Sequence, residues 1–465
     1  MSLLFSRATS CRPAIRNALL SVAEARSFAS AVPGKSNAFK INNASSKKNK
    51  KSFSRKNRVG AWRSMAASQL PHPLFQSENR HPISLPTFTP AHITDDMIGQ
   101  AVHFTELEND PIKFYGTPKD ILLEYRLLSR RASVIRDVTV QTARLLDEAA
   151  QKSSQDTRIA ITGSAGTGKS VLLLQAVRYC LDNDWIVIYV SRAKTTVNST
   201  TIHAYDLRTQ TYLQPQYAFQ MLQRILSVNS KLLGQINMRQ SLNMERRQIP
   251  AGTSLAELAT IGIKEQQLAS VVLDALVNEL SMQKKSPVLL AIDDLQAIYR
   301  ERTMYRDPHF AHIRPYHLSI PRMFLEFASG KRTFGQGAVL GAITSSDSQF
   351  PISNELIRAL GTERYHPMSP YDKMNKTLVE YAQGLKNLEV PSKFTLQEAS
   401  SMFEVWMKDR ALTAPINDEL FLSKYTESGG HPKTFVWKGL LATLEGAIPE
   451  YDPQVPWPHM REMNV

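Results

Sequence analysis

The chain has 465 residues, enough for about three domains, and carries a formal net charge of +14. The basicity is uneven, because 14 of the 56 Lys and Arg residues lie in the first 77 positions beside a single acidic residue. The two cysteines, Cys11 and Cys180, are too few for a disulfide framework or a cysteine-based zinc site.

Residues 1–30 have the composition of a mitochondrial transit peptide. They contain Arg but no Lys, many Ser and Ala, and only Glu24 as an acid, with apolar residues between the arginines. A secretory signal is not favoured, since no uninterrupted apolar region follows the first charge. No stretch is long enough to span a membrane. We therefore expect import into the mitochondrial matrix.

Residues 31–77 form a basic arm. Positions 34–63 carry Lys, Arg, Asn and Ser without an acid, together with Phe53 and Trp62. Such a segment cannot bury enough apolar surface to fold alone. Its charge and rings suit an RNA groove, although a solvated linker has the same composition. The candidate RNA-binding residues are Lys47, Lys48, Lys50, Lys51, Arg55, Lys56 and Arg58.

An extended and helical segment, 78–150, precedes a predicted nucleotide-binding domain, 151–366. This domain begins with a buried strand, the motif GxxxxGKS and an amphipathic helix, in the order that a phosphate-binding loop requires. Lys169 is predicted to reach the β and γ phosphates, and the Ser170 hydroxyl to join a Mg²⁺ shell. The predicted nucleotide-binding residues are Gly163, Ser164, Ala165, Gly166, Thr167, Gly168, Lys169, Ser170 and Val171.

A second motif, which ends in acidic residues, supports the interpretation of the GxxxxGKS motif. The apolar run from Pro287 to Ile292 ends in two carboxylates, and Asp293 is placed as the Walker B residue on the metal side. Asp294 follows where many hydrolysing relatives carry Glu as the base that activates water. It is therefore a candidate catalytic residue with a side chain one methylene shorter; a helix N-cap is the alternative.

Two further strands fit a parallel sheet, Trp185–Val190 and Ala338–Ser345. The second ends in Thr344 and Ser345, which lie either beside the γ phosphate or at the start of a turn. The insertion 203–286 is too long for a simple crossover, so we expect an all-helical subdomain or a partner-binding arm. The loop 302–317 is rich in Arg, His and aromatic residues, which suits RNA, phosphate or plain solvent exposure.

Residues 367–465 are predicted to form a C-terminal helical domain, beginning with helices Lys373–Leu385 and Leu396–Lys408. The turn at Gly430-His431-Pro432 resembles the element that closes over the base in STAND-type ATPases. It makes His431 and Pro432 candidate nucleotide contacts, with an ordinary interhelical turn as the alternative. A guanine-reading NKxD element is absent, so the residues leave the base unresolved.

Together these motifs resemble the death-associated protein 3 family, nucleotide-binding proteins of the mitochondrial small ribosomal subunit. The resemblance rests on the transit peptide, the GSAGTGKS and LLAIDD motifs, the loop around Tyr305 with Ser319-Ile320-Pro321-Arg322, and the Gly430-His431-Pro432 turn. It implies an α/β P-loop NTPase domain, AAA/STAND-like, with a parallel sheet, helical insertions and a C-terminal helical lid.

The resemblance also implies a function. We expect a structural constituent of the mitochondrial small ribosomal subunit that holds GTP/GDP or ATP with Mg²⁺. It would contact small-subunit rRNA and neighbouring ribosomal proteins and help to bridge the large subunit. A matrix P-loop NTPase acting in ribosome assembly or another matrix process is the alternative, because the intact Lys169, Ser170 and Asp293 permit turnover.

Overall fold

The structure is a computed structural model that describes residues 83–244, 247–362, 373–409, 411–412 and 417–445. The transit peptide and the basic arm lie outside these residues. The strands are β1 Ala101–His103, β2 Ala132–Val134, β3 Arg158–Thr162, β4 Ile186–Val190, β5 Ala204–Asp206, β6 Thr211–Leu213, β7 Leu242–Met244, β8 Arg247–Ile249, β9 Val288–Asp293, β10 Gly337–Ala342 and β11 Lys386–Glu389.

Helices account for most of the remaining regular structure. The α-helices are α1 Pro111–Tyr115, α2 Lys119–Leu127, α3 Asp137–Ala149, α4 Lys169–Asp182, α5 Pro215–Gly234, α6 Leu255–Lys264, α7 Ala269–Met282, α8 Ser319–Ser329, α9 Asn354–Leu360, α10 Lys376–Ala382, α11 Leu396–Lys408, α12 Asp418–Ser428, α13 Pro432–Thr434 and α14 Ala442–Glu445. A π-helix, Phe435–Leu440, follows α13. The 3-10 helices are Pro90–His92, Asp95–Met97, Ala193–Thr196, Gln266–Leu268, Leu295–Tyr299 and Pro315–His317.

A five-stranded parallel sheet forms the centre, in the order β11-β3-β10-β9-β4. Every residue of β3, β4, β9 and β10 is buried, which explains their nearly continuous apolar sequences. In parallel strands the carboxyl ends meet at one edge of the sheet. The loops after β3, β4, β9 and β10 therefore share that edge, and the predicted α/β class is confirmed.

Close packing inside the sheet depends on a glycine at the start of β10. Gly337 has φ of 133°, and a Cβ there would lie 2.0 Å from the Val288 carbonyl oxygen of the neighbouring strand. Only glycine accepts this conformation and this approach without strain. The residue thus keeps β9 and β10 in contact over their full length.

The insertion between β4 and β9 is not all-helical, which corrects the expectation for 203–286. Helices α5, α6 and α7 pack together, but β5 pairs with β6 and β7 with β8 in antiparallel hairpins. Each of these strands has three residues. A strand that short is too brief to show a recognisable alternation of apolar and polar residues.

The region after 367 is also not wholly helical. The first predicted helix is confined to α10, and β11 follows it and pairs with β3 at the edge of the sheet. Three of the four residues of β11 are exposed, so the strand lacks the apolar signal that reveals central strands. Helix α11 confirms the second predicted helix. The predicted domain boundaries stay a prediction.

A second hydrophobic cluster lies under the C-terminal helices, separate from the core around the sheet. It is built around Phe403, Trp406 and Phe435, and Ile83 and Leu127 from the other end of the described chain pack into it. Residues before the sheet thus stabilise helices that follow it. Within the described residues, no helix is both long and apolar enough to cross a membrane.

Candidate functional site

The GxxxxGKS motif lies where β3 leads into α4, as the sequence predicts. We call residues 163–170 the GKS loop. Gly163, Gly166 and Gly168 have φ of 137°, 81° and 98°, and α4 begins at Lys169. These conformations turn successive backbone N–H groups toward one point at a helix N-terminus, the arrangement that attracts anions.

The Lys169 ammonium is folded back onto the GKS loop. Its Nζ donates to the carbonyl oxygen of Gly163 at 2.9 Å and to that of Ser164. Burial lowers the pKa of Lys169 to about 8, and the nearby Asp293 carboxylate opposes that shift. The positive charge is thus held inside the loop by acceptors that a bound anion is able to replace.

The two predicted metal-side residues are in contact. Ser170 Oγ donates to Asp293 Oδ1 at 3.1 Å, and Asp293 is only 2 % exposed at the end of β9. Burial raises the pKa of Asp293 to about 7, and repulsion by Asp294 adds to this; the Ser170 hydroxyl and the Asp294 amide act in the opposite direction. The oxygen atoms of these two side chains therefore lie side by side next to the GKS loop.

Asp294 lies at the N-cap position of the 3-10 helix Leu295–Tyr299, as the alternative interpretation of that residue predicts, but its carboxylate makes no capping hydrogen bond. The residue is left-handed, with φ of 60°, and makes no side-chain cap to the 3-10 helix after it. Its Oδ2 lies 3.7 Å from Lys194 Nζ instead, and the same ammonium is 3.2 Å from Asp347 Oδ2. Neither Lys194 nor Asp347 lies in a sequence motif, and sequence reasoning missed both.

The predicted sensor residues follow β10, which ends at Ala342 rather than at Ser345. Thr344 and Ser345 lie in the loop after the strand and line the same cavity as the GKS loop. The Thr344 amide donates to Gln296 Oε1 at 2.9 Å. The structure therefore brings the loop to the predicted place, while a role beside a γ phosphate stays a prediction.

The Gly430-His431-Pro432 turn contacts the GKS loop directly. A ring nitrogen of His431 lies 2.7 Å from the Ala165 carbonyl oxygen, and the Lys433 amide donates to the Gly166 carbonyl at 3.1 Å. A Cβ on Gly166 would come within 2.6 Å of Lys433 Cβ. The turn is therefore more than a connection between helices, because it packs on the glycine of the phosphate-binding motif.

Arg136 is a further buried residue at the GKS loop that sequence reasoning missed. Its guanidinium donates to the carbonyls of Thr167 at 2.9 Å, Pro391 at 3.2 Å and Lys393 at 2.9 Å. Arg136 Nε lies 3.4 Å from Glu398 Oε2. A single arginine before β3 outside any motif gives no sequence signal. Folding makes it the link between the GKS loop and the segment after β11.

These groups line a cavity of about 680 Å³, a size typical of small-molecule sites. Val171 and Pro432 also line it, so all the candidate nucleotide contacts lie in or against one space. The lining also includes Lys194, Asp294, Asp347 and Glu124. Among the described residues, no three His, Cys, Asp or Glu side chains form a metal cluster by themselves.

The cavity lining also contains a half-buried carboxylate, Glu124, that sequence reasoning missed. Trp437 Nε1 donates to Glu124 Oε1 at 2.8 Å, and Lys433 Nζ pairs with Asp120 at 2.6 Å. Burial raises the pKa of Glu124 to about 7; repulsion by Asp120 adds to this, while the Trp437 hydrogen bond and the Lys433 charge oppose it.

Glu124→Gln is expected to stabilise the protein more at pH 8 than at pH 4.5. The pKa is higher in the folded state, so the folded protein holds the extra proton, and ionisation costs stability as pH rises from about 4.5 through 7. Gln keeps the acceptor for Trp437 but does not ionise. The gain relative to the unsubstituted chain should grow by about 1–3 kcal/mol between these pH values.

Urea titrations at both pH values measure this difference in unfolding free energy. Glu404→Gln is the control, because Glu404 is half-exposed and paired only with Lys408 one turn away. An equal effect of the two substitutions at both pH values would contradict a penalty specific to Glu124.

The structure defines an α/β protein with the GxxxxGKS sequence in a loop at the carboxyl edge of a parallel sheet, and the comparisons identify its family. The family model for mitochondrial ribosomal death-associated protein 3 matches residues 133–436. The protein belongs to this family, which confirms both the resemblance seen in the sequence and the mitochondrial localisation.

Individual relatives agree. The small ribosomal subunit protein mS29 of Neurospora crassa is 30 % identical over 313 residues, which is 64 % of this chain and 66 % of the relative. Its namesake in Schizosaccharomyces pombe is 26 % identical over 306 residues, 64 % of this chain and 62 % of the relative. The Bos taurus protein of the same name is 21 % identical over 289 residues, which is 61 % of this chain and 72 % of the relative. The chain thus spans just under two thirds of the two fungal relatives.

Proposed function

We propose that the protein is a structural constituent of the mitochondrial small ribosomal subunit that retains a purine nucleotide, GTP/GDP or ATP. Family membership and relatives that are named small ribosomal subunit proteins support the ribosomal part. The observation that carries the nucleotide part is the convergence of Lys169, Ser170 and Asp293 at one cavity. A P-loop NTPase fold of AAA/STAND type is supported by the parallel sheet, the GKS loop and the C-terminal helices.

The residues present fit a nucleotide with Mg²⁺. Ser170 and Asp293 would hold the ion, since their oxygens are 3.1 Å apart and Mg²⁺ commonly takes one or two protein oxygens together with phosphates and water. When bound, the ion neutralises charge on the phosphates. The Lys169 ammonium, which donates to the Gly163 and Ser164 carbonyls, would hold the phosphates in their place.

Nucleotide in this cavity joins two parts of the chain. The GKS loop is already tied to the C-terminal helices through His431, Lys433 and Arg136. A ligand that binds only the folded state stabilises it by mass action, by about 2.7 kcal/mol at a concentration 100 times its Kd. The nucleotide then acts as a structural or regulatory element. A catalytic role for Asp294 stays a prediction.

The partners proposed are small-subunit rRNA and neighbouring ribosomal proteins, with bridge contacts to the large subunit. The basic arm, from Lys47 to Arg58, would supply part of the RNA contact by neutralising phosphate charge. These residues lie outside the described part of the chain, so this contact follows from their composition alone.

One experiment tests both halves of the proposal. The chain is tagged at its C-terminus, and mitochondrial lysate is run on a sucrose gradient at moderate salt with Mg²⁺; nucleotide is then extracted from the tagged fraction. We expect co-sedimentation with small-subunit rRNA and close to one purine nucleotide per tagged protein. Migration as a free protein with nucleotide turnover would favour the matrix NTPase instead. Co-sedimentation without nucleotide would leave only the ribosomal half.

A further inference from the structure

We propose that Lys194 senses the terminal phosphate at this site, so that the protein distinguishes a nucleoside triphosphate from a diphosphate. The Lys194 ammonium would exchange the carboxylates of Asp294 and Asp347 for the terminal phosphate. This inference rests on the proposed nucleotide function, which itself makes no distinction between the two ligands.

The position of Lys194 in the sheet is the first argument. Lys194 follows β4, Asp294 follows β9 and Asp347 follows β10, and these three strands are neighbours in the sheet. The ammonium lies 3.2 Å from Asp347 Oδ2 and 3.7 Å from Asp294 Oδ2. One charge therefore holds together the loops at the carboxyl ends of three adjacent strands.

The location of the terminal phosphate is the second argument. In phosphate-loop sites the motif lysine lies at the β and γ phosphates, and the metal-side aspartate lies at the same end. Here that end is marked by Lys169 and Asp293, and Asp293 directly precedes Asp294. All these residues line the same cavity as Lys194. A third phosphate would thus extend toward Lys194, whereas a diphosphate would end before it.

The charges around Lys194 favour an exchange of its carboxylate partners for a phosphate. Asp293, Asp294 and Asp347 bring three carboxylates to the cavity lining, and Lys194 pairs with two of them. The Lys194 side chain is 37 % exposed, whereas Asp294 and Asp347 are 10 % and 18 % exposed, so the ammonium is the more accessible partner in both pairs. A phosphate that carries more than one charge offers the ammonium a stronger, charge-assisted partner.

Other cations of the cavity are less suited to this role. The Arg192 guanidinium donates to the Thr117 carbonyl at 3.2 Å, which holds it against α1 and α2. Lys433 pairs with Asp120 on α2. Lys119 begins the same helix. Among the cavity lysines outside the GKS loop, Lys194 is therefore the one paired with carboxylates of the loops after β9 and β10.

A ligand shifts a conformation only by its differential affinity for the two states. The diphosphate should leave the Lys194 pairs in place and the three loops tied. The triphosphate should release Asp347 and Asp294, so the loop 344–348 becomes freer to move in the triphosphate state alone. The proposal thus predicts both an affinity ratio and a local change in backbone protection.

The test measures equilibrium binding of guanine and adenine di- and triphosphates, with Mg²⁺, to the purified full chain. Lys194→Met should lower the ratio of triphosphate to diphosphate affinity by roughly 10-fold or more, since hydrogen bonds to charged groups are among the stronger ones. Diphosphate affinity should change little. Lys119→Met is the matched control and should leave the ratio unchanged, because Lys119 lines the same cavity from α2 rather than from the loops after β4, β9 and β10.

A second variant should change the ratio of triphosphate to diphosphate affinity in the opposite direction. Asp347→Asn removes the nearer competing carboxylate, so it should raise the ratio while leaving Lys194 in place. Hydrogen exchange in 344–348 should speed up with triphosphate and not with diphosphate. If the unsubstituted chain binds nucleotides but Lys194→Met keeps its ratio, the inference is overturned and the proposed function stands. If the chain binds no nucleotide, the proposed function fails and the inference with it.

Discussion

Lys169→Ala is expected to reduce nucleotide affinity by roughly 100-fold, since each hydrogen bond to a charged group contributes about 1.5–3 kcal/mol and the lysine reaches two phosphates. The ammonium donates to the carbonyls of Gly163 and Ser164 in the GKS loop. Removing it therefore takes away the charge that a nucleotide would use, and leaves β3 and α4 with their own packing.

Mass spectrometry of nucleotide extracted from the purified variant measures this effect directly. Lys408→Ala is the control, because Lys408 lies on α11 in a half-exposed pair with Glu404, outside the cavity lining. We also expect the variant to incorporate less into the small subunit, because it lacks the ligand contribution to stability. Unchanged nucleotide content would remove Lys169 from the proposed site.

Arg136→Ala is expected to destabilise the protein by about 3–5 kcal/mol, the usual cost of removing one partner of a buried ion pair. The substitution leaves the carbonyls of Thr167, Pro391 and Lys393 without their donor. It also leaves the Glu398 carboxylate, 5 % exposed, without the neighbouring positive charge. The contact between the GKS loop and the segment after β11 should loosen as a result.

Denaturant unfolding measures the loss, and Arg144→Ala is the matched control. Arg144 pairs with Asp95, and the two side chains are 60 % and 64 % exposed, so that change should cost less than about 1 kcal/mol. Adding Glu398→Gln to Arg136→Ala should recover part of the loss, because the second change removes the unpaired buried charge. Equal costs for the Arg136 and Arg144 variants would show that burial of the pair does not matter.

The sequence predicted the parts of the site that are local in the chain. Gly163 to Ser170 must follow a buried strand and begin a helix, and β3 and α4 do so because the apolar periods on either side are strong. The strand before Asp293 is likewise visible as a continuous apolar run. Each of these signals is contained within a window of about ten residues, which is the range over which periodicity operates.

The sequence did not predict the short strands of the insertion or β11, because periodicity reveals only elements with a strong local pattern. The hairpin strands of the insertion are three residues long, and β11 lies at the sheet edge with mostly exposed side chains. Neither the hairpin strands nor β11 show a recognisable alternation of apolar and polar residues in the sequence. What makes β11 a strand is its pairing with β3, more than 200 residues earlier in the chain, and such a pairing is a property of the fold rather than of the segment.

The sequence by itself indicated the family and predicted a mitochondrial signal and a phosphate-binding loop, because each of the motifs concerned is a short run of neighbouring residues. The tertiary structure decided what surrounds that motif: Arg136 on the Thr167 carbonyl, His431 on the Ala165 carbonyl, and Lys194 between Asp294 and Asp347. These contacts join residues 31, 266, 100 and 153 positions apart. Their charges attract only once folding has brought them within a few ångströms and away from water, so no local pattern records them.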